Sequence, residues 1–213
     1  MALAPKEGAL FEYLSTPLPN KDTVVGKVPV LSLDFETTGL NAAHDQLLSI
    51  GCVDICNGKI KLASGHHQLI RTLGQLQKDN VAIHKITDAE KERGAELKEA
   101  IDQLLRLMAG KVVLVHYAKV ERNFLRQACR QIYGIVPPVL MIDTLAITKR
   151  RYDKHNKPYD PSRLRLTHLR NNFGLPHYHA HNALKDAIAT AELLLAELQT
   201  NHKGLRTPLR KLL

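Results

Sequence analysis

Alternating apolar and polar positions predict strands in the first part of the chain. The stretch 29–40 alternates between the two kinds of side chain until Gly39 ends it. Two further strands are predicted at about 46–56 and 59–70. They are separated by an Asn-Gly pair at 57–58, a dipeptide that favours a tight hairpin turn. The chain is therefore predicted to begin its fold with strand hairpins.

Helical spacing of apolar residues dominates the remainder of the sequence, interrupted by short apolar runs that are typical of buried strands. The predicted helices cover 89–109, 119–133, about 163–173 and about 182–199, and the predicted strands cover 111–116 and about 139–145. Early hairpins followed by strand–helix alternation predict an α/β fold with a mixed sheet covered by helices.

The predicted elements belong to one domain over residues 28–199. Residues 1–27 contain three prolines and little periodicity, so they are predicted to form a lead-in of uncertain order. Residues 200–213 form a basic C-terminal tail.

Composition narrows the class of protein. The chain has 213 residues, of which 44% are hydrophobic and 24% charged, as in ordinary soluble domains. It contains no apolar run of ~18 residues, so a membrane span is not expected, and no signal peptide is evident. The three cysteines at positions 52, 56 and 129 suit a reducing compartment. We therefore expect a cytoplasmic protein without a membrane partner.

The formal net charge is +9, from 30 Lys and Arg against 21 Asp and Glu. Such an excess favours a polyanionic partner, either nucleic acid or a membrane surface, although it also serves plain solubility. Basic residues concentrate between 149 and 165 and between 203 and 211. These stretches either bind backbone phosphate without reading sequence or form a solvated surface.

Two acids share one face of the first predicted strand. Because side chains on a strand alternate, Ser32, Asp34 and Glu36 lie opposite the apolar Leu33 and Phe35. The two carboxylates are about 7 Å apart along the strand and repel each other. A bound cation would relieve the repulsion, whereas the alternative is a solvated outer face.

A third acid occurs in the helix predicted at 119–133. Glu121 lies beside the apolar stripe in the first turn, where a buried carboxylate requires a partner or a metal. Alternatively it stabilises the helix N-terminus. Arg122, Arg126 and Arg130 form a row along the same helix, which either binds phosphates or is only a solvated stripe.

The fourth acid begins the last predicted helix. Asn182 is a plausible N-cap, Asp186 lies in the first turns, and His181 comes directly before the helix. His177, His179 and His181 alternate, but no cysteine lies near them, so a zinc site is disfavoured.

Together these acids form an oxygen-only ligand set, which suits hard cations such as Mg²⁺ or Mn²⁺. Two such cations about 3.5–4 Å apart suit in-line attack on a phosphodiester. His181 has a side chain suited to accept the proton of the attacking water.

The motifs DFETTGL (34–40) and HNALKDA (181–187) resemble those of the DnaQ-like exonucleases, the DEDDh branch of the RNase H-like 3′–5′ exonucleases. HKIT at 84–87 and IDTLAIT at 142–148 also resemble family segments, and the resemblance covers roughly 28–199. The resemblance is to domains such as that of the DNA polymerase III epsilon subunit. It implies an RNase H-like mixed central β-sheet flanked by helices.

The resemblance further implies a metal-dependent hydrolase that releases 5′-mononucleotides from the 3′ end of single-stranded DNA. Four acids would hold two divalent cations, Mg²⁺ or Mn²⁺, namely Asp34, Glu36, Glu121 and Asp186. His181 would act as the general base. The residues expected near the terminal nucleotide are Phe35, Thr37, Thr38, Gly39 and Leu40. His84 either contacts it or is a plain loop histidine, and Tyr117 and Arg122 are further candidates for substrate binding.

The second motif departs from the family pattern. HYAKVE at 116–121 has Tyr117 where the family has Asn and Glu121 where it has Asp, although the spacing from His116 is kept. DNA is favoured over RNA as the substrate, and no polymerase partner is indicated. The alternatives are an exoribonuclease of the RNase T or oligoribonuclease type and a catalytically weak homologue that binds nucleic acid.

Overall fold

The computed structural model describes residues 7–72, 92–154, 158–178, 182–200 and 203–213. The strands are β1 (Val30–Thr37), β2 (Leu47–Cys56), β3 (Lys59–Leu69), β4 (Val112–Val115) and β5 (Met141–Asp143). The helices are α1 (Ala9–Ser15), α2 (Leu97–Met108), α3 (Lys119–Tyr133), α4 (Thr144–Lys154), α5 (Leu166–Asn172) and α6 (Ala183–Thr200).

The five strands form one mixed sheet in the order β3-β2-β1-β4-β5. The hairpin strands β2 and β3 are antiparallel to each other, and β2 is antiparallel to β1. Strands β4 and β5 extend the other side of β1 in parallel. The predicted mixed sheet covered by helices is therefore confirmed, and β1 lies at its centre.

The alternation along β1 separates two cores. Leu31, Leu33 and Phe35 are buried in one core with apolar residues of α1, α2 and α3. Val30 belongs to the second core, which contains apolar residues of α6. The face of β1 that carries the acids is thus covered by α6 instead of open solvent.

The segments that flank the predicted domain pack against it. In the lead-in, Leu10 and Tyr13 of α1 are buried, and the Tyr13 hydroxyl donates to the carbonyl of Pro138 at 2.7 Å. In the tail, the Leu209 backbone N–H donates to the Thr23 carbonyl at 2.9 Å. Both segments therefore contribute to the folded core.

The helix predicted at 89–109 begins at Leu97, and two further elements differ from the sequence-based expectation. The strand predicted at 139–145 covers Met141–Asp143, because the Asp143 carboxylate accepts the backbone N–H of Leu145 and so caps a helix that begins at Thr144. That helix, α4, continues into the basic stretch from 149, which gave no apolar periodicity. Within the described residues, no helix is both long and apolar enough to cross a membrane.

Candidate active site

Three acids from two elements meet at the end of the sheet. Asp34 and Glu36 lie on β1, and Asp186 lies in the first turn of α6. One carboxylate oxygen from each of the three residues lies within 4.8 Å of the others. The face of β1 predicted to carry two acids therefore meets the acid predicted on the last helix.

A glycine and a serine hold α6 against β1. Gly51 of β2 is the register partner of Asp34, and a Cβ on Gly51 would lie 2.0 Å from the carbonyl carbon of Ala183. Only a residue without a side chain permits this approach of the helix to the sheet. Ser32, on the same face of β1 as the acids, donates its hydroxyl to the Ala187 carbonyl at 2.6 Å.

Glu121 is a buried acid at the start of α3. Its side chain is 3% exposed, and its Oε2 atom has no hydrogen-bond partner among the described residues. Burial raises the pKa of this carboxyl to about 8; a hydrogen bond from its own backbone opposes the increase, and the negative charge of Asp143 adds to it. A buried carboxylate oxygen without a donor is suited to a cation ligand.

Asp34 connects the four acids electrostatically. Its pKa is raised well above the ordinary value, first by burial and then by the negative charges of Glu121, Asp186 and Glu36. Since four carboxylates cannot all ionise cheaply in a small volume, a divalent cation is the natural counter-charge. The donor set present thus fits a hard divalent metal.

Asp143 shapes the turn between β4 and α3. Its carboxylate accepts the backbone N–H groups of Tyr117 at 3.0 Å and Ala118 at 2.9 Å. Tyr117 has a φ of 80°, an unfavourable conformation for a residue with a side chain. The hydrogen bonds to Asp143 hold this strained turn and set the start of the helix that carries Glu121.

His116, in the same motif, is half-buried and has a structural role. Its Nε2 donates to the Leu164 carbonyl at 2.9 Å, and its Nδ1 lies 2.7 Å from the Thr144 hydroxyl. A carbonyl only accepts, so the proton of the neutral ring is on Nε2 and Nδ1 accepts from Thr144. Burial lowers the pKa of His116 to about 4, which keeps the ring neutral.

The loop after β1 is held by one carboxylate. The Asp45 oxygens accept the backbone N–H of Asn41 at 2.8 Å and the Thr38 hydroxyl at 3.3 Å. A Cβ on Gly39 would lie 2.5 Å from this carboxylate, so glycine allows the compact turn. At its tip, Leu40 is 72% exposed.

The predicted substrate-binding residues differ in their exposure to solvent. Phe35 is buried in the core, so only its main chain is available to a ligand. The Thr37 side chain is also buried and donates to the Gly39 carbonyl at 2.6 Å. Tyr117 is 40% exposed, and Arg122 is exposed on the solvent side of α3.

Two predicted residues, His84 and His181, lie outside the described residues. Asn182, which follows His181 in sequence, accepts the backbone N–H of Lys185 at 3.1 Å with its side chain. This hydrogen bond confirms the N-cap predicted for the last helix.

Sequence reasoning did not identify Gly51 as a positioning residue. A glycine inside a predicted strand is a signal of close backbone approach, and Gly51 falls in the middle of the strand predicted at 46–56. This signal does not indicate which element of the fold approaches Gly51.

A mixed sheet with carboxylates converging on its central strand is typical of α/β domains that bind divalent cations through oxygen ligands. The model of the RNase T exonuclease family matches residues 31–194, which is more than half of the chain. The chain belongs to this exonuclease family, so the predicted family is confirmed, and with it the enzyme class at the level of the family.

Curated relatives include PolC-type DNA polymerases III and the 3′–5′ exonuclease DinG. A PolC-type DNA polymerase III from Thermotoga maritima is 29% identical over 174 residues, covering 82% of this chain and 12% of the relative. The 3′–5′ exonuclease DinG of Staphylococcus haemolyticus is 27% identical over 175 residues, covering 82% of this chain and 19% of the relative. The chain therefore spans less than a fifth of the length of these relatives.

Solved structures share the fold. E. coli exonuclease I in complex with a dT13 oligonucleotide has a TM-score of 0.68 at 16% identity, covering 84% of this chain and 42% of that chain. The nuclease domain of 3′hExo, a DEDDh family member bound to rAMP, has a TM-score of 0.67 at 17% identity. It covers 82% of this chain and 94% of that chain. The predicted exonuclease fold is thus confirmed.

Proposed function

We propose that this protein is a metal-dependent 3′–5′ exonuclease that degrades single-stranded DNA to 5′-mononucleotides. The observation that carries the proposal is the meeting of Asp34, Glu36 and Asp186 within 4.8 Å, with the buried Glu121 coupled to them through Asp34. These acids are the ones that the family resemblance assigns to the metal site.

The four acids would hold two divalent cations, Mg²⁺ or Mn²⁺. When bound, such cations lower the pKa of a bound water and stabilise the charge that develops on the phosphate and on the leaving oxygen. Asp34 would lie between the other acids, since its pKa responds to all three of them. Glu121 would contribute the oxygen that has no hydrogen-bond donor among the described residues.

His181 would be the general base. It directly precedes the N-cap residue Asn182 and is five residues before Asp186, so the helix start that positions the acid also anchors the chain next to the histidine. Imidazole has an ordinary pKa near neutrality, which suits removal of a proton from water at physiological pH.

The loop after β1 would bind the terminal nucleotide. Leu40 offers an exposed apolar surface for the terminal base. The main chain of Phe35, Thr37, Thr38 and Gly39, which is next to Asp34 and Glu36 in sequence, would contact the nucleotide. Tyr117 is exposed enough to contact the sugar or base, and Arg122 and His84 would contact phosphate. The strained turn at Tyr117 is typical of residues at binding sites.

DNA is the substrate that the relatives favour. The PolC-type relative is a DNA polymerase by name, and the exonuclease I complex contains a dT13 oligonucleotide. The 3′hExo domain, bound to rAMP, supports an exoribonuclease as the second candidate.

The test is hydrolysis of a 5′-labelled single-stranded DNA oligonucleotide with Mg²⁺ or Mn²⁺, resolved on a denaturing gel. We expect a ladder that shortens from the 3′ end, no cleavage in EDTA, and no cleavage by Asp34→Asn or Asp186→Asn. Competition with RNA of equal sequence separates the two candidates. Intact DNA and RNA with both metals would overturn the proposal and favour a catalytically weak homologue.

A further inference from the structure

Four cations form a ridge on the solvent side of α3. Lys119, Arg122, Arg126 and Arg130 are exposed and lie within about 80° of one another around the helix, at 100° per residue. Glu121 and the apolar residues of α3 occupy the opposite, buried side. We call these four residues the α3 ridge.

The α3 ridge has no intramolecular counter-charge within the described part of the chain. None of its four side chains forms an ion pair or hydrogen bond with another described residue. A cationic side chain without an internal ion pair is available to bind an external anion.

A second basic surface differs in this respect. Arg150, Arg151, Lys154, Arg210 and Lys211 line a cavity of about 550 Å³ between α4, α6 and the tail. Three of these cations are engaged within the protein. Arg150 donates to the Leu213 carbonyl, Arg151 pairs with Glu197, and Arg210 pairs with Asp22. This surface is therefore less available to phosphate than its composition implies.

The α3 ridge borders an open groove that reaches the loop following β1, the strand that carries Asp34 and Glu36. A cavity of about 620 Å³ lies between α3 and the loop after β1, and it is lined by Leu40, Lys119, Arg126 and Arg130. Asp45 also lines it, but its carboxylate is occupied by Asn41 and Thr38. The groove therefore carries net positive charge along its helical wall.

The spacing of the arginines suits a nucleic-acid strand. Side chains four residues apart on a helix are about 6 Å apart, comparable to successive phosphates of an extended single strand. From Glu121 to Arg130 the helix rises about 13 Å. A strand whose 3′ end lies at the acids would pass Leu40 and then follow the ridge toward Arg130.

We infer that the α3 ridge, through Arg126 and Arg130, binds the backbone phosphates of the single strand upstream of the bond to be cut. This inference rests on the proposed function, because that function places the 3′ end at the acids. It assigns the nucleic-acid path to α3 and not to the basic stretch of α4 or the tail.

The experiment measures binding of a fluorescent single-stranded DNA of about 12 nucleotides by anisotropy in EDTA, where no hydrolysis is expected, over a range of salt concentrations. Each phosphate contact contributes about 0.7 to the slope of log K against log salt for single strands. For Arg126→Gln/Arg130→Gln we therefore expect a slope that is smaller by about 1.4 and a Kd about tenfold higher at low salt. Arg126→Lys/Arg130→Lys should restore the slope.

The matched control is Arg150→Gln/Lys154→Gln, which removes the same charge from the same i, i+4 spacing on α4. We expect its slope to equal that of the wild type. An unchanged slope in the α3 variant, or an equal decrease in both variants, would overturn the inference. Thermal unfolding checks that both variants are folded.

The cleavage and binding measurements distinguish failure of the proposed exonuclease activity from failure of the proposed strand path. If the wild type cleaves DNA but the α3 variant keeps the full salt slope, the strand path is wrong and the exonuclease stands. If the wild type cleaves neither DNA nor RNA but the slope decreases as expected, the exonuclease fails and the ridge remains a strand-binding surface.

Discussion

Gly51 lies directly opposite Asp34 in the β1–β2 ladder, and the absence of a side chain there lets α6 approach the sheet. The consequence is that Asp186, in the first turn of α6, reaches the acids of β1. A residue without a side chain thus allows two carboxylates that are 152 positions apart in the sequence to lie close together.

Gly51→Ala is expected to displace α6 and weaken metal binding. The added methyl group would overlap the backbone of Ala183 and Leu184, at a cost of about 1–3 kcal/mol in unfolding free energy. Stabilisation by Mn²⁺ in thermal unfolding should decrease, and DNA cleavage should decrease with it.

Gly65→Ala on β3 is the control for this change. Its Cβ would lie 3.1 Å from the Leu62 carbonyl oxygen, with no overlap on α6 backbone. If Gly51→Ala retains wild-type Mn²⁺ stabilisation and activity, close approach at this position does not position the acids.

Ser32→Ala tests the second anchor of α6. Loss of the hydroxyl that donates to Ala187 should lower the unfolding free energy by about 1 kcal/mol and reduce kcat, because the helix start becomes less fixed. Chemical denaturation and steady-state hydrolysis measure the two effects. A loss of stability with unchanged kcat would show that this hydrogen bond serves the fold alone.

Glu121→Gln should abolish most of the activity while leaving the fold intact. The amide has nearly the shape of the carboxyl but cannot supply an anionic ligand from this buried position. We expect DNA cleavage to fall by about 100-fold, equivalent to about 2.7 kcal/mol of barrier, and the thermal shift caused by Mn²⁺ to decrease.

Glu121→Asp is the matched variant, because it keeps the charge and restores the residue usual in the family motif. We expect it to retain cleavage. A large gain over a nearly silent wild type would instead support the catalytically weak homologue.

Asp143→Asn should destabilise the turn that begins α3. Asp143 accepts the N–H groups of Tyr117, Ala118 and Leu145 with its two oxygens, and an amide offers only one acceptor atom. We expect a loss of about 1–3 kcal/mol in unfolding free energy and a decrease in kcat. Asp160→Asn, at an exposed cap of Ser162, should change neither by as much.

The lowered pKa of His116 predicts that the free energy of unfolding depends on pH. Its folded pKa of about 4 lies below the ordinary 6.5, so between these values the unfolded chain binds a proton that the folded protein excludes. The contribution of His116 to the free energy of unfolding is present above pH 6.5 and is lost as the pH falls. The loss amounts to about 2 kcal/mol at pH 5.

The measurement is denaturation in EDTA at pH 7 and pH 5 for the wild type and His116→Gln. We expect the variant to lose less stability on acidification than the wild type, since it has no ring to protonate. The exposed His177→Gln is the control and should follow the wild type. Parallel pH profiles for all three proteins would contradict the assignment.

The sequence by itself determined the local elements and the identity of the acids. Helix α3 covers the predicted 119–133, because its apolar periodicity is strong and is ended by Gly134 in a left-handed conformation. The alternation along β1 correctly separated Asp34 and Glu36 from Leu33 and Phe35. Such features depend on side-chain periods of two or 3.6 residues and are visible in a short window.

Long-range packing in the folded protein determines which of these elements meet. The Ser32–Ala187 hydrogen bond, the contact of α6 with Gly51 and the packing of the lead-in against the tail join residues far apart in the chain. The sequence also showed three basic regions without ranking them, and the ion pairs of the folded protein distinguish α3 from the others. Long-range contacts depend on how whole faces pack, and no local period encodes that choice.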